Sequence, residues 1–120
     1  MFELSIKGDF AAAHRLHGYE GNCKDLHGHT WKVEVVIAAD QLDKIGMVMD
    51  FKIVKIKLKE LLSKIDHVYL NSLAAFKENN PTTENLAKYI FEEFSLVCQP
   101  LQIKRVQVWE SDSASVVYYK

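Results

Sequence analysis

The sequence predicts an α+β fold in which two helices cover one face of a four-stranded antiparallel sheet. Three observations predict it: period-two apolar alternation towards both ends, two central stretches with three-four apolar spacing, and a resulting order of β-β-α-α-β-β. In the first element Phe2, Leu4, Ile6, Gly8, Phe10 and Ala12 alternate with mostly polar partners, the pattern of a half-buried strand, and His14 is next in that even-numbered series. Gly18 to Leu26 holds two glycines, Asn22 and charged residues, and reads as a loop. A second strand from His29 carries Trp31, Val33, Val35 and Ile37 on one face, and His27 and His29 share their parity.

The first helix follows "MVMDF". Phe51, Val54, Leu58, Leu61, Leu62 and Ile65 form its apolar stripe, Asp50 is placed to cap it, and Lys52, Lys55, Lys59 and Lys64 lie between. The second opens at "NPTTEN", with Thr82 as cap and Glu84 at the positive helix start. It buries Leu86, Ile90, Phe91 and Phe94, and Pro100 marks its end. "IKRVQVWE" and "SVVYY" then make two strands joined by a polar turn from Ser111 to Ser115. A four-stranded sheet has two edges, so oligomerisation by edge pairing is expected.

With 120 residues the chain suits one domain, residues 1–120, with its own core. Hydrophobic residues at 48% and charged ones at 26% are ordinary globular values. A net charge of −1 gives no electrostatic reason to expect nucleic acid or anionic lipid as partner, and the lysines between Lys52 and Lys64 read as a solvated helix face. Cys23 and Cys98 form no CxxC pair and no disulfide framework, which points to a reducing cytoplasm. Residues 1–13 carry Glu3, Lys7 and Asp9 and match neither a signal peptide nor a membrane span.

The chemistry-bearing residues begin with "NCKDLHGHTW". His27 and His29, two apart at a strand start, point the same way with about 7 Å between them along the backbone, a spacing two ligands of one ion bridge by side-chain rotation. Pairing of the first two strands brings His14 beside them. Three neutral imidazoles suit Zn²⁺ and leave a fourth position for water or substrate, a catalytic rather than a closed site. Cys23 either completes a four-ligand structural site or stays off the metal as a thiolate. His17 is read as a loop residue beside the site.

In "DHVYLN", Asp66 can fix the tautomer of His67 for general acid or base work; the alternative is a helix-end pair that interacts with the dipole. Glu110 lies on the parity of Val106 and Val108, so alternation aims a carboxylate at the apolar face. There it either pairs with a flat ligand edge bearing two N–H donors or turns out to solvent as the strand ends.

Six pieces in register, "FAAAHRL", "CKDLHGHTW", "GMVMDF", "DHVYLN", "NPTTENLAKYI" and "VWES", resemble the 6-pyruvoyltetrahydropterin and 6-carboxytetrahydropterin synthase family along nearly the whole chain. Cys-x₃-His-Gly-His is most like the bacterial 6-carboxytetrahydropterin branch; the pyruvoyl-forming branch usually has a longer gap. The resemblance implies a T-fold (tunnelling fold), with trimers closing a twelve-stranded barrel and two trimers making a homohexamer. It implies Zn²⁺ on His14, His27 and His29, catalysis by Cys23 with Asp66 and His67, and a pterin ring anchored by Glu110. The implied reaction converts 7,8-dihydroneopterin triphosphate to 6-carboxy-5,6,7,8-tetrahydropterin, acetaldehyde and triphosphate on the route to queuosine. Lys24 or Arg15 would then meet the phosphates. The sibling pyruvoyl-forming enzyme and a non-catalytic zinc or pterin-binding module are the alternatives. A cupin reading of Gly21 through Glu34 fails, because Gln41 stands where a glycine is needed and two helices do not suit a jelly roll.

Overall fold

A computed structural model describes residues 1–18 and 25–120. Its elements in chain order are β1 (Phe2–His14), β2 (His27–Ala39), α1 (Phe51–Ser63), β3 (Val68–Tyr69), α2 (Thr83–Val97), β4 (Gln102–Ser111) and β5 (Ala114–Tyr118). The sheet order is β3-β1-β2-β4-β5. The four expected strands are all antiparallel to their neighbours, and a two-residue fifth strand, β3, adds to the edge of β1 in parallel at Ala12 and Ala13. Nothing in the local sequence marks β3, because so short a strand is set by where α1 delivers the chain. The last turn is also tighter than expected: strand pairing runs to Ser111↔Ala114, so only Asp112 and Ser113 turn.

Alternation decides what the sheet buries. Leu4, Ile6, Phe10, Ala12 and His14 of β1, with Trp31, Val33, Val35 and Ile37 of β2 and Val106 and Val108 of β4, are buried under the helices. The face opposite them is largely polar, with Val36 buried on it. Ser5 donates to Glu34, Arg105 donates to the other oxygen of Glu34, and Gln107 donates to Ser115, a chain of contacts across four strands.

Helix α1 packs on β1, and α2 on β4 and β5. Asp50 caps α1 by accepting from Lys52 N–H at 2.8 Å, and Thr82 caps α2 by accepting from Asn85 N–H at 3.1 Å. Val54, Leu58, Leu61 and Leu62 face the sheet, each fully buried side chain stabilising by about 1.5–3 kcal/mol. Phe51 departs from the expected stripe and is 58% exposed. Gly8 lets α1 approach β1: a Cβ there would stand 3.0 Å from Leu62 Cδ1 and 3.2 Å from Leu58 Cδ2. Among the described residues no helix is long and apolar enough to cross a membrane.

Candidate metal centre

The antiparallel register sets His14 directly opposite His27, and two residue pairs further along Ala12 faces His29. Since β1 and β2 keep a common parity, all three imidazoles emerge on the helix-covered face above Trp31. The Trp31 ring is fully buried and meets His14 edge-on at 5.0 Å and His29 at 5.2 Å. It forms the floor of the cluster.

Backbone carbonyls hold two of the rings. His14 Nδ1 lies 2.7 Å from the Pro81 carbonyl and His27 Nδ1 lies 2.7 Å from the Asp25 carbonyl. A carbonyl only accepts, so each Nδ1 carries the proton and each Nε2 presents a lone pair. Those two Nε2 atoms are 2.9 Å apart. Two lone pairs facing each other call for a cation or a proton between them. Two nitrogens on one tetrahedral zinc stand about 3.3 Å apart, so a metal fits with little rearrangement. His29 Nε2 is buried without a hydrogen-bond partner among the described residues, although Glu110 Oε1 lies 3.0 Å away, because the pair is misaligned for a bond. An orphaned buried nitrogen pointing into the cluster is what a metal would satisfy.

Glu110 joins the three histidines: each of the four can offer one ligand atom within 4.8 Å of the others. Its other oxygen accepts from the Thr83 hydroxyl at 2.9 Å. Of the two expectations for Glu110, the inward one holds, since the carboxylate faces His29 and Thr83 instead of turning away with the strand. Burial pushes the imidazoles of His14 and His29 below their ordinary value, with Glu110 partly opposing this at both. Both shifts favour the neutral form, in which imidazole binds metal.

Asp66 and His67 form the expected pair, but elsewhere. Asp66 Oδ1 accepts the Ala11 backbone N–H at 2.8 Å and lies 3.0 Å from His67 Nδ1. The Ala11 hydrogen bond, and then that from His67, hold the Asp66 carboxyl below the usual range. His67 has a left-handed backbone, φ 56°, which costs a non-glycine residue about 1–2 kcal/mol, and its N–H donates to the Ala11 carbonyl in return. Its side chain is 82% exposed. His67 lines an open cleft with Val68, Tyr69 and Thr30 that reaches His29. Among the described residues no hydrogen bond or ion pair joins this pair to the histidine cluster. Cys23 and Lys24 lie outside the described residues.

Thr83 and Pro81 are parts of the site that sequence reasoning did not single out. "NPTTEN" signals a helix start, and the signal for more is the second threonine, a hydroxyl beyond the one the cap uses.

Residues 3–120 match the 6-pyruvoyl tetrahydropterin synthase family. The chain is 36% identical over 115 residues to 6-carboxy-5,6,7,8-tetrahydropterin synthase of Synechocystis sp., covering 92% of this chain and 87% of the relative. It is 32% identical over 126 residues to the protein of that name from Bacillus subtilis, covering 98% and 84%. Among solved structures, 6-pyruvoyl tetrahydropterin synthase of Caenorhabditis elegans superposes with a TM-score of 0.91 at 27% identity, covering 99% of this chain and 95% of that one.

Proposed function

Since the chain belongs to the 6-pyruvoyl tetrahydropterin synthase family, we propose that it is a cytoplasmic, zinc-dependent 6-carboxy-5,6,7,8-tetrahydropterin synthase. It converts 7,8-dihydroneopterin triphosphate and water to 6-carboxy-5,6,7,8-tetrahydropterin, acetaldehyde and triphosphate, supplying queuosine synthesis. The observation that carries the reading is the cluster of three imidazoles in which His14 and His27 turn their Nε2 atoms to face each other. Bound there, zinc supplies Lewis acidity towards the side-chain oxygens of the substrate.

The chain's own residues do the rest. Glu110, with Thr83 donating to it, accepts from the two N–H donors on the aminopyrimidine edge of the pterin. Reaching the ring requires the carboxylate to turn from His29. Asp66 holds the Nδ1 proton of His67, which leaves Nε2 to take or give a proton, and the Cys23 thiolate serves as the second proton carrier. His67 is 82% exposed in one chain; in the homohexamer of two trimers that the family resemblance implies, a second copy would cover it.

The strong superposition on a 6-pyruvoyl tetrahydropterin synthase favours a second reading, triphosphate elimination without carbon–carbon cleavage. Incubating the zinc-loaded protein with 7,8-dihydroneopterin triphosphate separates them. The carboxylated pterin with stoichiometric acetaldehyde is expected. A pyruvoyl product without acetaldehyde would replace the first reading by the second, and no turnover with zinc bound would leave a binding module.

A further inference from the structure

Beyond His14 the chain leaves the sheet, yet its backbone stays paired as if a strand still lay beside it. Asn71 Oδ1 accepts the Arg15 N–H at 2.8 Å and Asn71 Nδ2 donates to the Arg15 carbonyl at 2.8 Å. Asn80 treats His17 in the same way, at 2.9 Å to the N–H and 2.8 Å to the carbonyl. A side-chain amide carries the acceptor and donor of a peptide group, so each asparagine replaces one residue of a neighbouring strand.

The two amides come from the two segments that supply the rest of the site. Asn71 sits in the turn after β3, four residues beyond His67, and that turn is anchored by fully buried Leu70. Asn80 directly precedes Pro81, whose carbonyl orients His14, and stands three residues before Thr83, which holds Glu110. Its own carbonyl accepts from Thr82 N–H and Asn85 Nδ2, each at 2.8 Å, which locks it to the start of α2. Arg15 and His17 are exposed, so water would otherwise serve their backbone groups, and the four bonds contribute more to placement than to stability.

We propose that Asn71 and Asn80 are positioning residues that clamp the backbone of residues 15–17 through its peptide groups. The clamp ties the Asp66–His67 segment and the Pro81–Thr83 segment to the chain leaving His14. Its geometry stands alone; its consequence for turnover rests on the pterin synthase reading above.

The test compares Asn71→Ala and Asn80→Ala with wild type by amide-resolved hydrogen exchange, zinc competition against a chromogenic chelator, and steady-state kinetics. In wild type the Arg15 and His17 amides should be protected despite their exposure. Asn71→Ala should speed exchange at Arg15, and Asn80→Ala at His17, by about tenfold or more with core amides unchanged. Asn80→Ala should also weaken zinc binding about tenfold, as expected when the support of a ligand's orienting carbonyl is lost. Asn71→Ala should leave zinc affinity intact and lower kcat about tenfold at constant KM. Asn71→Asp and Asn80→Asp keep an acceptor for the backbone N–H but set a donorless carboxylate oxygen against the backbone carbonyl, so they should lose the carbonyl bond, and they replace any alanine variant whose core amides also lose protection. Unprotected Arg15 and His17 amides in wild type, or loss of protection without change in zinc affinity and kcat, would overturn the clamp. If wild type binds zinc but turns over no pterin, the functional reading falls while the exchange and zinc measurements still decide the clamp.

Discussion

At His14 three interactions meet: the Pro81 carbonyl fixes its proton on Nδ1, Trp31 packs against its ring, and its Nε2 faces that of His27. Removing a ligand from such a set should remove the metal, so His27→Ala is expected to lose stoichiometric zinc by metal analysis. Cys23→Ala should instead keep one zinc per chain and lose turnover; loss of zinc would make the cysteine a ligand. The metal-free protein carries a second consequence. His14 and His29 have folded-state pKa values below the ordinary 6.5, so the unfolded chain binds more protons in the window between the two values. Their contribution is fully present above pH 6.5 and is lost as pH falls through the depressed folded-state values. The urea midpoint of chelator-treated protein should therefore fall as pH is lowered through that window, and a flat midpoint would refute the argument. Parity in a strand is a strict rule, so the three histidines and the inward Glu110 were legible in the sequence. The acceptors behind them were not, because Asp25 and Pro81 contribute backbone carbonyls that no residue type announces.

The start of α2 does two jobs with adjacent threonines. Thr82 caps the helix, and Thr83 turns its hydroxyl to Glu110. Substitution should separate them. Thr82→Ala is expected to cost about 1 kcal/mol in urea unfolding, with the substrate KM little changed. Thr83→Ala should raise KM for the pterin substrate about tenfold or more, through the loss of a hydrogen bond to the carboxylate worth about 1.5–3 kcal/mol. Equal effects of both on unfolding and on KM would mean that Thr83 acts only through the helix. The elements themselves were readable wherever local chemistry decides them: the alternation of β1 and β2, the Asp50 and Thr82 caps, and the stripes of both helices. They were unreadable where tertiary pairing decides. β3 exists because Asp66 and the His67 backbone dock on Ala11, and the β4–β5 turn is short because pairing continues past the residues that look like loop.

For the whole molecule, the open question is how two half-sites become one. The histidine cluster lies under the helices at the end of β1 and β2, while Asp66 and His67 sit on the edge of β1, with His67 turned to solvent. Both margins of the sheet are available for pairing. Among the described residues β1 is paired on its outer side only at Ala12 and Ala13, and β5 has no partner beyond β4. Exposed edges of this length are normally covered, and the assembly proposed above predicts that pairing through them sets the His67 of one chain near the histidines of the next. Mixing two inactive variants tests this directly. On the proposed roles, His27→Ala lacks the metal site and His67→Ala lacks the proton carrier, so a shared site would be intact only where a His67→Ala chain meets a His27→Ala neighbour. After dissociation and reassembly of an equal mixture, about a quarter of wild-type activity should return if chains assort at random around a closed ring. A site built within one chain would stay inactive at every mixing ratio.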